Sequence, residues 1–168
     1  PGPAGRPAGP RAAVRRTTLS RLRLRVSPLD RRRGHLIAGA LVLPCALGRS
    51  GVAQRKREGD GATPVGRFPL LALRFRADRL PRPRTFLSAK PIRRDDGWCD
   101  APADRRYNRP VRLPYPASCE RLWREDGLYD LVLDMAYNRG PIRPGRGSAV
   151  FFHLARADLS PTEGCVAI

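Results

Sequence analysis

The sequence predicts a mainly β domain, and three observations carry the prediction. Its apolar runs are short, at residues 22–26, 34–47 and 129–137, and each is closed by turn chemistry. The chain holds 18 Pro and 16 Gly among 168 residues, and these punctuate it between the runs. No stretch has apolar residues at the i, i+3, i+4, i+7 spacing of a long amphipathic helix, and no internal repeat is visible. A chain of this length fits one domain with a single core.

In chain order, residues 1–18 are rich in Pro, Gly, Ala and Arg without periodicity. They are expected to be a disordered arm, leaving 19–168 as the folded domain. Leu22-Arg23-Leu24-Arg25-Val26 alternates apolar and basic side chains, the pattern of a half-exposed strand. Ser27-Pro28-Leu29-Asp30 turns the chain. Residues 34–47 are apolar and partly β-branched, a buried hairpin with His35 exposed at its start. After a turn at Gly48-Arg49-Ser50-Gly51 and a polar loop, Thr63-Pro64-Val65-Gly66 opens a strand over 67–75. Proline at a strand start needs no ladder donor, and glycine there marks a bulge or a close backbone approach.

Residues 76–121 have few apolar runs and are expected to be long loops that form a lid or wall. Within them Trp98 and Tyr107 suit two jobs equally, as aromatics of a substrate wall or as plugs that anchor the loop to the sheet. A short helix is expected at 120–125 and a strand at 129–137. Asn138-Arg139-Gly140-Pro141 and Pro144-Gly145-Arg146-Gly147 break the chain before a last strand at 148–153.

The formal charge is +18, and lysine occurs only at Lys56 and Lys90. The abundance of Arg, Ala, Gly and Pro is what GC-rich coding produces, but a pI near 11.5 favours polyanions whatever its origin. Residues 1–33 carry ten Arg against one acid, Asp30, an arm suited to non-specific polyanion binding. It lacks the interleaved aromatics of sequence-specific single-strand recognition. No run of about 18 apolar residues exists to span a bilayer, and the first residues lack the apolar core of a secretory signal. The four cysteines show no C-x-x-C spacing, which argues against structural zinc. No metal and no cofactor is expected. Cys45 fits a buried packing role, while Cys99 and Cys119 could bridge in an oxidising compartment.

The chemistry concentrates in the last nineteen residues. Val150-Phe151-Phe152-His153 delivers one of only two histidines, and Thr162-Glu163-Gly164-Cys165 presents a thiol after a glycine. A thiol near its free pKa is only a few per cent thiolate at neutral pH and needs a base beside it. His153, carried by a strand, suits that part better than His35. Glu163 would raise the thiol pKa if it faced the sulfur, so it is expected to point away or to meet an Arg.

A strand-borne His, a loop, then Ser/Thr-x-Gly-Cys resembles the signature of the L,D-transpeptidase (YkuD-like) catalytic domain. Asp60-Gly61-Ala62-Thr63-Pro64-Val65-Gly66-Arg67-Phe68 matches a second element of that family, Thr-Pro-x-Gly-x-Phe, and Tyr137-Asn138 a third. The resemblance covers roughly residues 34–168. It implies a β-sandwich or open barrel with a few short helices and long loops. It also implies a cell-envelope or periplasmic setting and peptidoglycan stem peptides as substrate. On this resemblance Cys165 attacks an amide carbonyl and His153 is its base. Gly164 and Cys165 offer backbone donors to the oxyanion, and Thr162 shapes the loop. Tyr137, Asn138, Arg109, Arg146 and Trp98 are the substrate-binding candidates, the arginines for their bidentate fit to carboxylates.

Three features depart from the family pattern. Leu154 stands where Gly is usual, Ala167 where Arg is usual, and His153 and Cys165 are only twelve positions apart. The end at Ile168 also comes early for the family and leaves room for a C-terminal truncation. These departures leave a transferase and an L,D-carboxypeptidase or amidase both open. A catalytically inactive basic protein binding anionic polymer or nucleic acid is the alternative from another class.

Overall fold

The computed structural model describes residues 19–168, so the basic arm at 1–18 and its expected disorder lie outside the described residues. The described chain forms thirteen strands. These are β1 (Arg23–Val26), β2 (Arg33–Ala38), β3 (Leu41–Ala46), β4 (Val52–Ala53), β5 (Thr63–Pro64), β6 (Leu70–Phe75) and β7 (Ser88–Pro91). There follow β8 (Asp96–Cys99), β9 (Pro110–Arg112), β10 (Cys119–Arg121), β11 (Leu131–Met135), β12 (Phe151–His153) and β13 (Val166–Ala167). Eight of them make one open mixed sheet in the order β1-β2-β3-β13-β12-β11-β6-β7. A three-stranded sheet, β10-β8-β9, and a parallel pair, β4-β5, complete the fold, and no barrel closes.

Period-two alternation explains how the large sheet is held. Phe151 joins Trp98, Ile92, Leu122, Tyr129, Val132 and Cys165 in one core, whereas Phe152 packs with Cys45, Leu47 and Val166 in a second. Adjacent residues of β12 therefore serve opposite faces. The three-stranded sheet covers the first of them. The Trp98 ring of β8 meets Phe151 of β12 edge-on, with centroids 5.0 Å apart.

Several expectations are corrected here. No helix occurs among the described residues. Residues 120–125 begin as β10, because Cys119, Glu120 and Arg121 pair with Cys99, Trp98 and Gly97. Six residues cannot repay the cost of a helical nucleus, while a strand partner satisfies them at once. The strand expected over 67–75 starts only at Leu70, its Thr63–Pro64 opening being a separate strand that pairs with β4. Residues 76–121 contain β7 to β10 as well as loops. Cys45 is fully buried in the second core and His35 is exposed on β2.

Candidate active site

The parallel register of β12 and β13 builds the site. Phe152 faces Val166 and His153 faces Ala167, so Phe151 stands opposite Cys165 by extension of the same register. His153 and Cys165 then lie on one face of adjacent strands, two residues out of step. Strand spacing and rise place their Cα atoms about 8 Å apart, a gap that an imidazole and a thiol can bridge. Both side chains line a cavity of about 460 Å³. Its wall also includes Glu58, Asp100, Glu120, Arg124, Tyr129 and Arg156.

The histidine is held in one tautomer. Its Nδ1 lies 2.8 Å from the carbonyl oxygen of Leu154, and a carbonyl only accepts, so Nδ1 carries the proton. The lone pair is left on Nε2. Burial holds the imidazole below its usual pKa, partly offset by the Leu154 bond, so the ring is neutral at pH 7. The Tyr129 ring packs on it with centroids 5.2 Å apart.

The thiol is held differently. Phe151 N–H donates to Cys165 Sγ at 3.3 Å, and Sγ–H donates to Ala149 O at 3.3 Å. No hydrogen bond joins it to His153 among the described residues. Burial pushes the Cys165 thiol up to about 12, with the Glu120 carboxylate adding to the effect and the Lys56 ammonium opposing it. The resting sulfur is a protonated thiol.

The loop that carries Cys165 is pinned from both sides. Thr162 N–H donates to Leu47 O at 2.9 Å, and Arg49 N–H to Thr162 O at 2.8 Å. Thr162 Oγ1 accepts from Gly164 N–H at 3.1 Å and donates to Cys165 O at 2.7 Å. From the Thr-Pro segment, Thr63 Oγ1 donates to the same carbonyl at 3.3 Å and accepts from Gly48 N–H at 2.8 Å. Glu163 points outward and pairs with Arg49 at 2.8 Å.

The Thr162 bond corrects the expected oxyanion donors. Gly164 N–H is already engaged, whereas Cys165 N–H takes no hydrogen-bond partner among the described residues.

The substrate-binding candidates fall elsewhere, since none of the five lines the cavity. Trp98 is 1 % exposed and donates through Nε1 to Asn108 Oδ1 at 2.9 Å, which makes it a core anchor. Tyr137 donates to Arg146 O at 2.6 Å, and Asn138 Nδ2 donates to Arg143 O and Gly147 O at 3.0 Å each. Their polar groups are used in folding the 138–147 loop. Arg109 and Arg146 are exposed away from the cavity, because nearness in sequence to a motif does not bring a flexible side chain to the site. The cations that do line it are Arg124 and Arg156.

Sequence reading missed those two arginines, along with Glu58 and Lys56. Glu58 Oε2 accepts from Ser148 Oγ at 2.8 Å and from the Tyr107 hydroxyl, tying the loop after β4 to the one before β12. Only the rarity of lysine in so arginine-rich a chain marked Lys56 in advance. No cluster of side chains suited to a metal ion occurs among the described residues.

The described residues thus place a thiol and a neutral imidazole in one cavity of an open, mainly β scaffold. Residues 25–168 match the family model of the L,D-transpeptidase catalytic domain, YkuD, and the chain belongs to that family. The family acts on peptidoglycan, its members are cysteine-dependent enzymes, and they are typically associated with the cell envelope. No match was found among curated proteins or among solved structures.

Proposed function

We propose that this chain is a cysteine acyltransferase acting on peptidoglycan stem peptides, with Cys165 as nucleophile and His153 as base. The observation that carries the reading is the shared face and shared cavity of His153 and Cys165, with Nε2 unprotonated. Thiol rotation away from Ala149 O brings Sγ–H toward Nε2. The imidazole takes the proton as sulfur adds to the amide carbonyl carbon. The oxyanion forms beside Cys165 N–H. Collapse breaks the C–N bond, and the imidazolium returns its proton to the departing amine. The thioester on Cys165 then yields its acyl group to an incoming amine, which loses its proton to Nε2. Arg124 and Arg156 are the cavity groups suited to the carboxylates of a stem peptide.

The test is a carbapenem, whose strained amide mimics the acyl donor. Intact mass is expected to show one adduct on the wild type, none on Cys165→Ala, and slower formation on His153→Gln. An equal adduct on Cys165→Ala, or none on the wild type, overturns the reading. Ala167 lines the cavity where the family usually has Arg, which favours hydrolysis as a second reading. A stem tetrapeptide with and without an amine acceptor separates the two by product mass.

A further inference from the structure

Lys56 is one of two lysines in a chain whose 33 basic residues, less those 2, are all arginine. It is also buried, its side chain 4 % exposed, with Nζ donating to Asp60 Oδ1 at 2.6 Å. Asp60 is itself fixed by Arg57 N–H at 2.7 Å and Ala62 N–H at 2.9 Å. The lysine stem runs in a slot between the two segments that hold the thiol. A Cβ on Gly147 would stand 2.8 Å from Lys56 Cε, and one on Gly164 would stand 3.1 Å from Nζ. Both glycines are in the left-handed region, at φ of 100° and 133°. That slot admits a linear ammonium stem and leaves little room for a guanidinium fork. A mere spacer could be apolar, whereas a buried ammonium is costly to desolvate.

We propose that Lys56 is a positioning residue whose fixed positive charge, set behind Gly164, stabilises the Cys165 thiolate in a site where position 167 carries no charge. The inference rests on the acyltransferase reading of Cys165. The other groups facing the sulfur do not supply such a charge. Glu120 is acidic, Tyr129 packs in the same core as Cys165, and His153 on the neighbouring strand is neutral. Arg124 sits over the Tyr129 ring at 5.0 Å and pairs with Glu120 and Asp126. Glu58 is held by Ser148 and Tyr107, and Asp60 stands as counter-ion to Lys56.

Iodoacetamide alkylation of Cys165, followed against pH by peptide mass, reads the thiolate with no acyl donor present. Lys56→Met is expected to move the midpoint up by about one pH unit while the variant still melts cooperatively. Asp60→Asn, which keeps the ammonium and removes its counter-charge, is expected to move it down, and decides the matter alone if Lys56→Met does not fold. An unmoved midpoint in a folded variant overturns the role of Lys56 and leaves the nucleophile standing. A wild-type Cys165 whose alkylation rate does not rise with pH across the range in which the protein stays folded overturns both.

A second feature stands independently on strand register. Cys99 of β8 and Cys119 of β10 are direct partners, both free thiols. Asp100 N–H donates to Ser118 O at 3.2 Å and Leu122 N–H to Asp96 O at 3.0 Å. Alternation therefore makes Cys99 and Cys119 a non-hydrogen-bonded pair, whose Cα atoms stand about 4.5 Å apart, inside the range of disulfides. The geometry points to a Cys99–Cys119 disulfide that fastens the cavity wall, since their neighbours Asp100 and Glu120 line it. Cys119, half-buried, attacks one sulfur of an oxidised low-molecular-weight disulfide and releases a thiol. Cys99 then displaces the remaining thiol, so that two protein thiols are oxidised and one disulfide is reduced. After incubation with oxidised glutathione, a non-reduced peptide map is expected to link the two peptides in the wild type and in Cys45→Ser. Cys99→Ser is expected to hold glutathione on Cys119 instead. Stable glutathione on Cys119 of the wild type, or two thiols still free, overturns the bridge.

Discussion

Gly164 shows how much a single residue controls. At its φ of 133° an added Cβ would stand 2.8 Å from Ala62 O, a backbone atom that cannot swing aside. Gly164→Ala is expected to lose about 1–3 kcal/mol of stability in urea unfolding and to slow acylation of Cys165. A wild-type midpoint with a wild-type rate would show that the turn is loose and the close approach unimportant. Cys165 and His153, which share the cavity, stand out in the sequence because a glycine before a cysteine and a histidine ending an apolar run are local patterns. Lys56 was not, because its burial comes from segments some ninety and more residues away, at Gly147 and Gly164. Tyr137 and Asn138 matched a family element as residues, yet their hydrogen-bonding groups are turned into their own loop.

At the scale of elements, β12 was readable because alternation of apolar residues decides which face each side chain takes. The same rule then places His153 beside Cys165 once the β12–β13 register is known. What alternation could not show was β8 to β10. Those strands have three or four residues each, and their pairing depends on partners ten or more positions away. Trp98 was caught in that gap, equally suited to a wall or an anchor. The structure assigns its ring to Phe151 and its indole N–H to Asn108. Trp98→Phe is therefore expected to lose about 1–2 kcal/mol of stability, from the lost hydrogen bond and lost volume, without changing KM for a stem peptide. A raised KM at unchanged stability would return Trp98 to the substrate wall.

At the scale of the whole molecule, His153 and Cys165 set opposite pH limits on stability. Burial lowers the folded pKa of His153 below its ordinary 6.5, so the unfolded chain binds the extra proton first as pH falls. That contribution is complete above pH 6.5 and is lost progressively below it. Burial raises Cys165 from 9.0 to about 12, so the unfolded chain releases its proton first as pH rises. This contribution is complete below pH 9 and declines above it, the gap between 9.0 and about 12 corresponding to about 4 kcal/mol. Cys45, pushed up to about 11 by burial, acts in the same direction. Urea unfolding across pH is expected to show a plateau between about pH 6.5 and 9 with a fall on each side. Cys165→Ala is expected to make the alkaline fall shallower and to leave the acid side unchanged. The reverse pattern, an alkaline limb indifferent to Cys165→Ala, would mean that the thiol is already solvated in the folded chain, and Cys165 would then need no burial-opposing charge to ionise.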